Sequence, residues 1–357
     1  MKPKIIIDDN IPYIQGRLEP VANVEYVDQF GFTPANVRNA AAMVIRTRTR
    51  CDSSLLAESG VKIIATATIG VDQIDIPWCQ NAGIKVVNSP GCNAPAVAQY
   101  VWSALLRKGF DPTKQTLGIV GCGNVGSIVA QWGRLLGARI LVSDPPKQEA
   151  GIPVINPIDK EANPQVSNPT GQQGNIEISY VPLETLMREC DAVTLHTPLT
   201  RDGNHPTYHL ISDKEIAAMK PGAIFINAAR GPVLDTQAIL QPLRDGKISA
   251  VIDTWEGEPD INRELLDLAD IATFHIAGYS RQGKERATRM VLEELEKFFG
   301  FEVDKNGLAP AYISPKDLTV ESIISSYDPA IDTAALRSDP DAFDTLRRNY
   351  NYREEVS

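Results

Sequence analysis

The sequence lacks several features that would place the chain in specialised classes of protein. No stretch of its 357 residues approaches the ~18 consecutive apolar residues that a membrane-spanning helix needs. Basic residues are in the minority, with 35 Lys and Arg against 45 Asp and Glu. The resulting net charge of −10 disfavours a general nucleic-acid or anionic-membrane partner. We therefore predict a protein that binds neither nucleic acid nor a membrane.

Cysteine is also scarce and has no recognisable spacing. The five cysteines are odd in number, form no CxxC pair, and stand at positions 51, 79, 92, 122 and 190. This pattern argues against a disulfide framework and against a zinc site, and it fits a reducing compartment. We expect a cytoplasmic protein without a bound metal. The opening MKPKIIIDDN has only three Ile before two Asp, which predicts a buried strand rather than a signal peptide.

Short apolar segments alternate with helix-like segments along most of the chain, which is the pattern of parallel α/β folds. In the first ninety residues, buried strands are predicted at 4–7, 43–45, 62–65 and 85–87. A helix predicted at 93–108 leads into a second series, with strands at 116–120, 138–143, 192–196, 223–227, 249–253 and 271–275. Six strands suit a complete dinucleotide-binding domain.

This pattern predicts two Rossmann-like, doubly wound parallel-sheet α/β domains and a small C-terminal region. Residues 1–92, completed by 278–300, are expected to form the substrate-binding domain, and residues 93–277 the dinucleotide-binding domain. A run rich in Pro, Asn, Gln and Gly at 151–179 predicts an inserted surface loop. The polar segment 301–357 is too short for a large core of its own, so it is expected to pack on the rest of the chain or on a second copy.

A glycine-rich motif, GCGNVG, follows the predicted strand at 116–120 and opens a helix predicted at 124–136. Gly121 permits a tight turn, Gly123 lets the backbone approach a pyrophosphate, and Gly126 lets the helix lie close to the strand. The helix N-terminus offers N–H groups and a partial positive charge to phosphates. A bare glycine motif is a weak signal, but here a strand precedes it and a helix follows.

Asp144 follows Gly126 by eighteen residues and ends the next predicted strand. A carboxylate at this position can accept both ribose hydroxyls of NAD and would repel the 2′-phosphate of NADP. The alternative is a solvated aspartate in the turn SDPP, which the preceding glycine motif makes the weaker interpretation. NAD is therefore the predicted cofactor.

Hydride transfer from an alcohol carbon requires a proton acceptor, and histidine is the usual one. The chain has four histidines. His205 and His209 flank the polar stretch HPTYH and are expected to be exposed loop residues. His196 ends a strand, where packing is at least as reasonable as contact with a cofactor. His275 ends the last strand of the second series, at the edge where parallel sheets bind ligands, and is the leading candidate.

Two further charged residues follow predicted strands of the same series. Arg230, after AIFINAA, can grip a carboxylate through two parallel hydrogen bonds. Glu258, after AVIDTWEG, can stabilise an imidazolium. Each residue alone has an alternative as a surface charge, but together with His275 they converge on one sheet edge. The residues thus predict an NAD-dependent dehydrogenase that acts on a small anionic 2-hydroxy acid.

These segments resemble a known family. NAARGPVLD, DTWEGEP and FHIAGYS are similar to the three signature segments of the D-isomer-specific 2-hydroxyacid dehydrogenases, although Phe274 stands where that family usually has proline. The resemblance implies that Arg230, Glu258 and His275 form the catalytic set, with His275 as proton donor or acceptor. It also implies NAD contacts from the glycine motif and from residues near strand ends, which are Gly121, Gly123, Asn124, Val125, Gly126, Asp144, Thr197, Ala228, Asp253 and Gly278.

One branch of the family is especially similar. IRTRT at 45–49, ATATIGVDQIDI at 65–76 and the C-terminal segment resemble enzymes that oxidise a phosphorylated 2-hydroxy acid in vitamin B6 biosynthesis. Members of this branch carry an extra C-terminal dimerisation region, so the likeness implies a homodimer with 301–357 as that region. It also implies substrate contacts from Thr47, Thr68 and Tyr279, and Arg46 is predicted as a further substrate contact.

The arginines of IRTRTR bear on the phosphate. Arg46, Arg48 and Arg50 would share one face if the preceding strand continued, and such a cluster suits a group with about −1.5 to −2 charges. A solvated strand edge whose charges deter pairing is the alternative. Arg347 and Arg348 are further candidates, on the hypothesis that a partner subunit supplies them.

Two other functions stay open at this point. The chain could belong to another branch that acts on phosphoglycerate or on an unphosphorylated acid. It could also be a non-catalytic NAD-sensing protein, since the family's transcriptional corepressor branch keeps the same three residues. The acidic charge and the dimerisation-like tail weigh against the second alternative.

Overall fold

The computed structural model describes residues 2–154, 178–315 and 317–356. The chain divides into two compact units. The first comprises Met1–Asn93 and Ser280–Ile313, and the second comprises Ala94–Tyr279 and Ser314–Ser357. Each unit is built around its own parallel sheet. The expectation of two parallel-sheet α/β domains is therefore confirmed.

The first unit contains a five-stranded parallel sheet within its described residues, in the order β2-β1-β3-β4-β5. Its strands are β1 (Lys4–Asp8), β2 (Asn23–Val27), β3 (Ala42–Ile45), β4 (Ile63–Thr66) and β5 (Lys85–Val87). Its helices are α1 (Pro34–Val37), α2 (Ser53–Leu56), α3 (Ile76–Asn81) and the late helix Arg281–Phe299, which is α11 in chain order.

Both faces of this first sheet are covered. Ile5 and Ile7 of β1 lie in one buried cluster together with Leu292 of α11, whereas Ile6 lies in a second cluster with Leu56 of α2. Alternate residues of a strand point to opposite faces, so a run of apolar residues marks a strand that is buried on both sides. The strand β2 was missed in the sequence because it lies at the sheet edge and its sequence NVEYV contains no fully buried residue.

The second unit holds a seven-stranded parallel sheet, again counted over what the structure describes, in the order β12-β11-β10-β9-β6-β7-β8. Its strands are β6 (Thr116–Val120), β7 (Arg139–Ser143), β8 (Ile178–Tyr180), β9 (Ala192–Leu195), β10 (Ile224–Asn227), β11 (Ser249–Ile252) and β12 (Ile271–Ala272). The order reverses between β6 and β9, which is the point where such sheets bind ligands.

The described helices of the second unit connect and flank these strands. They are α4 (Ala94–Arg107), α5 (Asn124–Leu136), α6 (Pro145–Glu149), α7 (Leu183–Glu189), α8 (Asp213–Ala218), α9 (Thr236–Arg244) and α10 (Arg263–Leu268), followed in the C-terminal segment by α12 (Val320–Ser326), α13 (Pro329–Ser338) and α14 (Phe343–Arg348). Short 3₁₀ turns lie at Gly231–Val233 and Pro340–Ala342. None of the described helices is long and apolar enough to cross a membrane.

The prediction of a surface loop over 151–179 is wrong for its last two residues, which belong to a strand. Ile178 and Ser179 pair with Ile140 and Leu141 as the start of β8, which gives the sheet one strand more than the six predicted. Three residues at an edge carry too little apolar pattern to be recognised inside a polar run. Residues 155–177 of that predicted loop lie outside the described residues.

The C-terminal segment predicted at 301–357 is divided between the two units: Ser314–Ser357 belong to the second unit and pack on it, whereas residues 301–313 belong to the first. Leu336 of α13 and Phe343 of α14 are completely or almost completely buried, and they belong to the same apolar cluster as Phe225 of β10 and Ile252 of β11. The side-chain hydroxyl of Thr333 accepts a hydrogen bond from the backbone N–H of Ala272 in β12. These contacts make the segment part of this unit's core, one of the two arrangements that the sequence left open.

Candidate active site

The glycine motif forms a tight turn between β6 and α5. Gly121 has a φ of +86°, a left-handed conformation that residues with a side chain rarely adopt. A Cβ atom on Gly126 would overlap the carbonyl oxygen of Gly121, so only glycine allows α5 to begin this close to the strand. A Cβ atom on Gly123 would meet no atom within 4 Å. The first residues of α5, Asn124 and Val125, follow directly, and the turn leaves room for a phosphate beside the helix N-terminus.

Asp144 ties the end of β7 to this turn. One carboxylate oxygen accepts the backbone N–H of Cys122 at 2.7 Å, and the other accepts the N–H of Lys147 at 3.1 Å as the N-cap of α6. Each oxygen has a second lone pair, so ribose hydroxyls can still donate to it. The Lys147 ammonium donates to the carbonyl of Cys122, which adds a cation beside the turn that the sequence did not reveal.

Two buried polar atoms lie beside the glycine turn. A Cβ atom on Gly121 would come within 2.8 Å of the Thr197 side chain, so this threonine adjoins the turn. In the part of the chain that the structure describes, Thr197 Oγ1 and His196 Nδ1 have no hydrogen-bond partner. Burial lowers the pKa of His196 to about 3, so its ring is neutral near pH 7. Buried polar atoms normally find partners, and these two fit a polar cofactor at this edge.

Arg230 follows β10, the second strand beyond the switch point. The Asn227 side chain donates to the Arg230 carbonyl at 3.1 Å and accepts the N–H of Ala229 at 3.2 Å, which fixes the turn at Ala228 and Ala229. A Cβ atom on Gly231 would overlap the Trp255 carbonyl group, so glycine is required where this turn meets the segment after β11. The Arg230 side chain is thereby placed at the carboxyl edge of the sheet.

His275 and Glu258 form a hydrogen-bonded pair at the same edge. Nδ1 of His275 lies 2.8 Å from one oxygen of Glu258, and the other oxygen accepts the Trp255 N–H at 2.7 Å. Burial raises the pKa of Glu258, but His275, the Trp255 N–H and the charge of Arg347 together outweigh burial and leave that pKa below its usual value. Glu258 is therefore ionised near neutral pH, and it directs the His275 ring so that Nε2 is the nitrogen available for chemistry.

Asp253 holds the turn that follows His275. Its carboxylate is only 1% exposed and accepts the Thr273 hydroxyl at 2.7 Å, the Ile276 N–H at 2.8 Å and the Ala277 N–H at 3.0 Å. His275 itself has a φ of +59°, and its N–H donates to the Asp253 carbonyl. Asp253 thus positions the histidine, while its contact with NAD stays a prediction, as does that of Gly278 in the same turn.

The C-terminal segment contributes a cation to this edge. The Arg347 guanidinium lies over the Tyr279 ring at 5.6 Å from its centroid, and its positive charge helps to lower the pKa of Glu258. Arg347 Nε is buried and has no hydrogen-bond partner among the described residues. The sequence suggested Arg347 only as a group from a partner subunit, because nothing in the pattern shows that α14 folds back on its own chain.

The substrate residues predicted in the first unit lie around the end of β3. Because β3 ends at Ile45, the strand does not continue, and the expected arginine face built on it is wrong. The Arg46 guanidinium donates to the Asn10 carbonyl at 2.8 Å, and Thr47 is exposed. The Arg50 guanidinium instead pairs with Asp52 at 2.7 Å.

Thr68 lies just beyond β4 in the same unit. Its hydroxyl is 2.7 Å from that of Thr66 and donates to the Gly70 carbonyl at 3.0 Å. The Gln73 side chain donates to the Arg46 carbonyl at 2.8 Å, which fixes the start of the IRTRT segment. The roles of these residues toward a substrate stay predictions.

The remaining histidines bind carboxylates. His205 lies 3.0 Å from Glu149, and His209 lies 2.8 Å from Glu256 and 3.8 Å from Asp235. Among the described residues, His209, Asp235 and Glu256 are a group whose ligand atoms all lie within 4.8 Å of one another, a spacing that a metal ion could use. The hydrogen bond between His209 Nε2 and Glu256, with Asp235 near the other ring nitrogen, accounts for this proximity without an ion.

Comparisons with known proteins show the family of this chain. A family model described as the NAD binding domain of D-isomer specific 2-hydroxyacid dehydrogenase matches residues 93–277. An erythronate-4-phosphate dehydrogenase from Bacteroides fragilis is 43% identical over 364 residues, which cover 99% of this chain and 97% of that protein. An erythronate-4-phosphate dehydrogenase from Escherichia coli K12 is 39% identical over 373 residues, covering 99% of this chain and 92% of that protein.

A solved structure supports the fold. The crystal structure of D-lactate dehydrogenase from Aquifex aeolicus, complexed with NAD and lactic acid, is similar with a TM-score of 0.64. The match covers 83% of this chain and 95% of that one at 24% sequence identity. At this level of identity the likeness concerns the architecture of the chain.

The glycine turn predicts opposite consequences for two substitutions. Gly126→Ala should destabilise the second unit and abolish NAD binding, because its methyl group would overlap the Gly121 carbonyl. Gly123→Ala should fold normally, since nothing lies within 4 Å, but should weaken NAD binding by about tenfold or more because the methyl group occupies the approach to the pyrophosphate. Thermal unfolding and NAD titration calorimetry measure the two effects separately, and unchanged NAD affinity in Gly123→Ala would exclude this turn as the phosphate site.

Proposed function

Because this chain belongs to the D-isomer-specific 2-hydroxyacid dehydrogenase family, we propose that it oxidises 4-phospho-D-erythronate with NAD. The product would be (R)-3-hydroxy-2-oxo-4-phosphooxybutanoate, an intermediate in the biosynthesis of pyridoxal phosphate. The family makes the chain an NAD-dependent oxidoreductase. The observation that carries the choice of substrate is that relatives named erythronate-4-phosphate dehydrogenase are 38–43% identical over 99% of this chain.

The hydrogen-bonded pair His275–Glu258 supplies the proton transfer. His275 accepts the C2 hydroxyl proton at Nε2, because Nδ1 is held by Glu258 at 2.8 Å. Glu258 stays ionised and stabilises the imidazolium that forms. Arg230 binds the substrate carboxylate through its two parallel N–H groups and so orients C2. The glycine turn, Asp144 and Thr197 would hold NAD, which would supply the acceptor for the hydride.

The substrate phosphate requires cations and hydroxyl donors of its own. For this group we propose Arg46, Thr47 and Thr68. The support is the likeness of the IRTRT and ATATIG segments to the phosphate-acting branch, together with the partial exposure of the Arg46 and Thr68 side chains. Tyr279 is proposed as a further substrate contact.

The proposed activity is tested by NADH absorbance on a panel of acids. The highest kcat/KM should be found with 4-phospho-D-erythronate, above 3-phosphoglycerate and above unphosphorylated erythronate. His275→Gln should lower kcat by ~10²–10⁴-fold, as loss of a general base does. The matched control is His205→Gln, which alters only a surface pair with Glu149 and should retain activity.

Each other outcome of this panel has a distinct meaning. A preference for 3-phosphoglycerate or for an unphosphorylated acid would replace the substrate and keep the reaction class. Failure of every acid to reduce NAD would contradict the enzymatic proposal and favour a non-catalytic NAD-binding role. Full activity in His275→Gln would remove His275 from the mechanism.

Arg46 is tested by comparing two substrates. Arg46→Gln should raise KM for 4-phospho-D-erythronate by about 10- to 100-fold, the effect of losing a hydrogen bond to a charged group. KM for erythronate, which lacks the phosphate, should change little. Arg50→Gln is the matched control because Arg50 is exposed and paired with Asp52. Equal changes in KM for both substrates would show that Arg46 does not recognise the phosphate.

We propose further that the chain forms a homodimer through its C-terminal segment. Ile331 of α13 is 71% exposed, and it borders a cavity of about 660 Å³ lined also by Phe274, Leu346 and Tyr350. The support for this contact is the likeness of the segment to the dimerisation region of related enzymes, and Ile331 is an exposed apolar side chain that such a contact would cover.

We propose a cytoplasmic location for the protein. Its five cysteines are free and buried, which favours a reducing compartment, and cell fractionation would check the location.

Light scattering during size-exclusion chromatography tests the dimer. The expected mass is twice the 39.0 kDa of one chain, and Ile331→Asp should shift it to that of a single chain. Phe298→Asp, an exposed aromatic of α11 in the first unit, is the control and should leave the mass unchanged. A wild-type mass of one chain at micromolar concentration would contradict the proposal.

A further inference from the structure

Arg353, near the end of the described chain, is a buried cation with an unusual set of partners. The side chain is 9% exposed. One terminal nitrogen donates to the carbonyls of Ile276 at 3.0 Å and Tyr279 at 3.1 Å, and the other donates to the carbonyls of Ala277 and Ala96. Three of these four carbonyls belong to the turn that directly follows His275.

The same turn is held from its other side by Asp253. The Ile276 and Ala277 N–H groups donate to the Asp253 carboxylate, whereas the carbonyls of these two residues accept from Arg353. The turn is therefore held between the Asp253 carboxylate and the Arg353 guanidinium. His275, which precedes the turn, has a φ of +59°, a conformation that a residue with a side chain keeps only when its surroundings enforce it.

The chemistry of this position suits arginine and no other side chain. Its planar fork presents five N–H donors in fixed directions, which can serve several carbonyls at once, whereas lysine is a compact charge on a flexible stem. The Arg353 guanidinium lies 4.3 Å from the Tyr327 ring centroid, and its Nε–H donates to the Gln99 side chain at 3.2 Å. The partners thus compensate for the removal of this cation from water.

A second contact joins the same two segments. Phe274, which precedes His275, packs edge-on against Tyr350 with ring centroids 6.0 Å apart. The Tyr350 hydroxyl also accepts from Arg353 at 3.4 Å. The residues on both sides of His275 are therefore fixed by the C-terminal segment.

We propose that Arg353 is a positioning residue, through which the C-terminal segment sets the orientation of His275 within its own chain. This inference rests on the proposed role of His275 as proton acceptor. It assigns the segment a part in turnover that is separate from any part in dimerisation. Loss of the Arg353 fork should loosen the turn, misdirect Nε2 and lower kcat while NAD still binds, because a displacement of about 1 Å in reacting groups can cost ~10²-fold in rate.

The chain offers a matched control in Arg337. This residue of α13 also donates to backbone carbonyls of the second unit, those of Leu266 and Ala269 in and after α10. Arg337→Met removes the same kind of contact between the C-terminal segment and its unit, but it leaves the His275 turn untouched. Any effect of docking alone should appear equally in both variants.

The test compares Arg353→Met with Arg337→Met in the full-length protein. For Arg353→Met we expect kcat for 4-phospho-D-erythronate to fall by about 10- to 100-fold, with a smaller change in the Kd for NAD, whose proposed contacts also include the glycine turn and Asp144. The backbone N–H groups of Ile276 and Ala277 donate hydrogen bonds to Asp253. Their hydrogen exchange should accelerate by at least about tenfold in Arg353→Met and should stay at the wild-type rate in Arg337→Met.

The outcomes separate the inference from the proposed function. Equal kcat in the two variants, or unaltered exchange at Ile276 and Ala277 in Arg353→Met, would overturn the inference. If Arg353→Met does not fold, Arg353→Lys replaces it, and wild-type kcat in that variant with accelerated exchange would also overturn it. If the wild-type protein oxidises no 2-hydroxy acid, the proposed function fails, while the exchange result still shows whether Arg353 holds the turn.

Discussion

The candidate site depends on the buried carboxylate of Asp253, which accepts the N–H groups of Ile276 and Ala277 at 2.8 and 3.0 Å. A buried carboxylate is stable only when hydrogen bonds replace its hydration. Loss of either N–H donor would therefore cost a large free energy, and this cost holds the two residues in place. The bonds bring the chain back at the end of β12 and present His275 to Glu258 at 2.8 Å. Without this turn, the histidine and the glutamate would belong to separate loops.

The parallel sheet brings the other parts of the site to the same edge. The glycine turn follows β6, Thr197 follows β9, and Arg230 follows β10, so three short connections meet near the point where strand order reverses. The protein as a whole carries a charge of −10, yet positive groups are gathered here, including Arg347 with its charge effect on Glu258. Local cations at this edge would favour an anionic ligand on a protein that is acidic as a whole.

Strands that are buried on both faces could be predicted from the sequence, because they consist of continuous runs of apolar residues. The bounds predicted for β6 and α5 agree with Thr116–Val120 and Asn124–Leu136. The edge strands β2 and β8 could not be recognised, because β2 has no fully buried residue and β8 follows a polar run rich in Pro, Asn, Gln and Gly. The contacts of Arg353 could not be predicted for a different reason. Its partner Ile276 is 77 residues away along the chain, and a local sequence pattern carries no information about such a contact.

In the proposed reaction, hydride leaves C2 of 4-phospho-D-erythronate while His275 takes the neighbouring hydroxyl proton. Substrate that carries deuterium at C2 tests this transfer most directly. We expect NADH with one deuterium on the nicotinamide ring, measured by mass spectrometry, and a slower turnover in single-turnover experiments. NADH without deuterium, or deuterium released to water, would contradict direct hydride transfer from C2 even if NADH were formed.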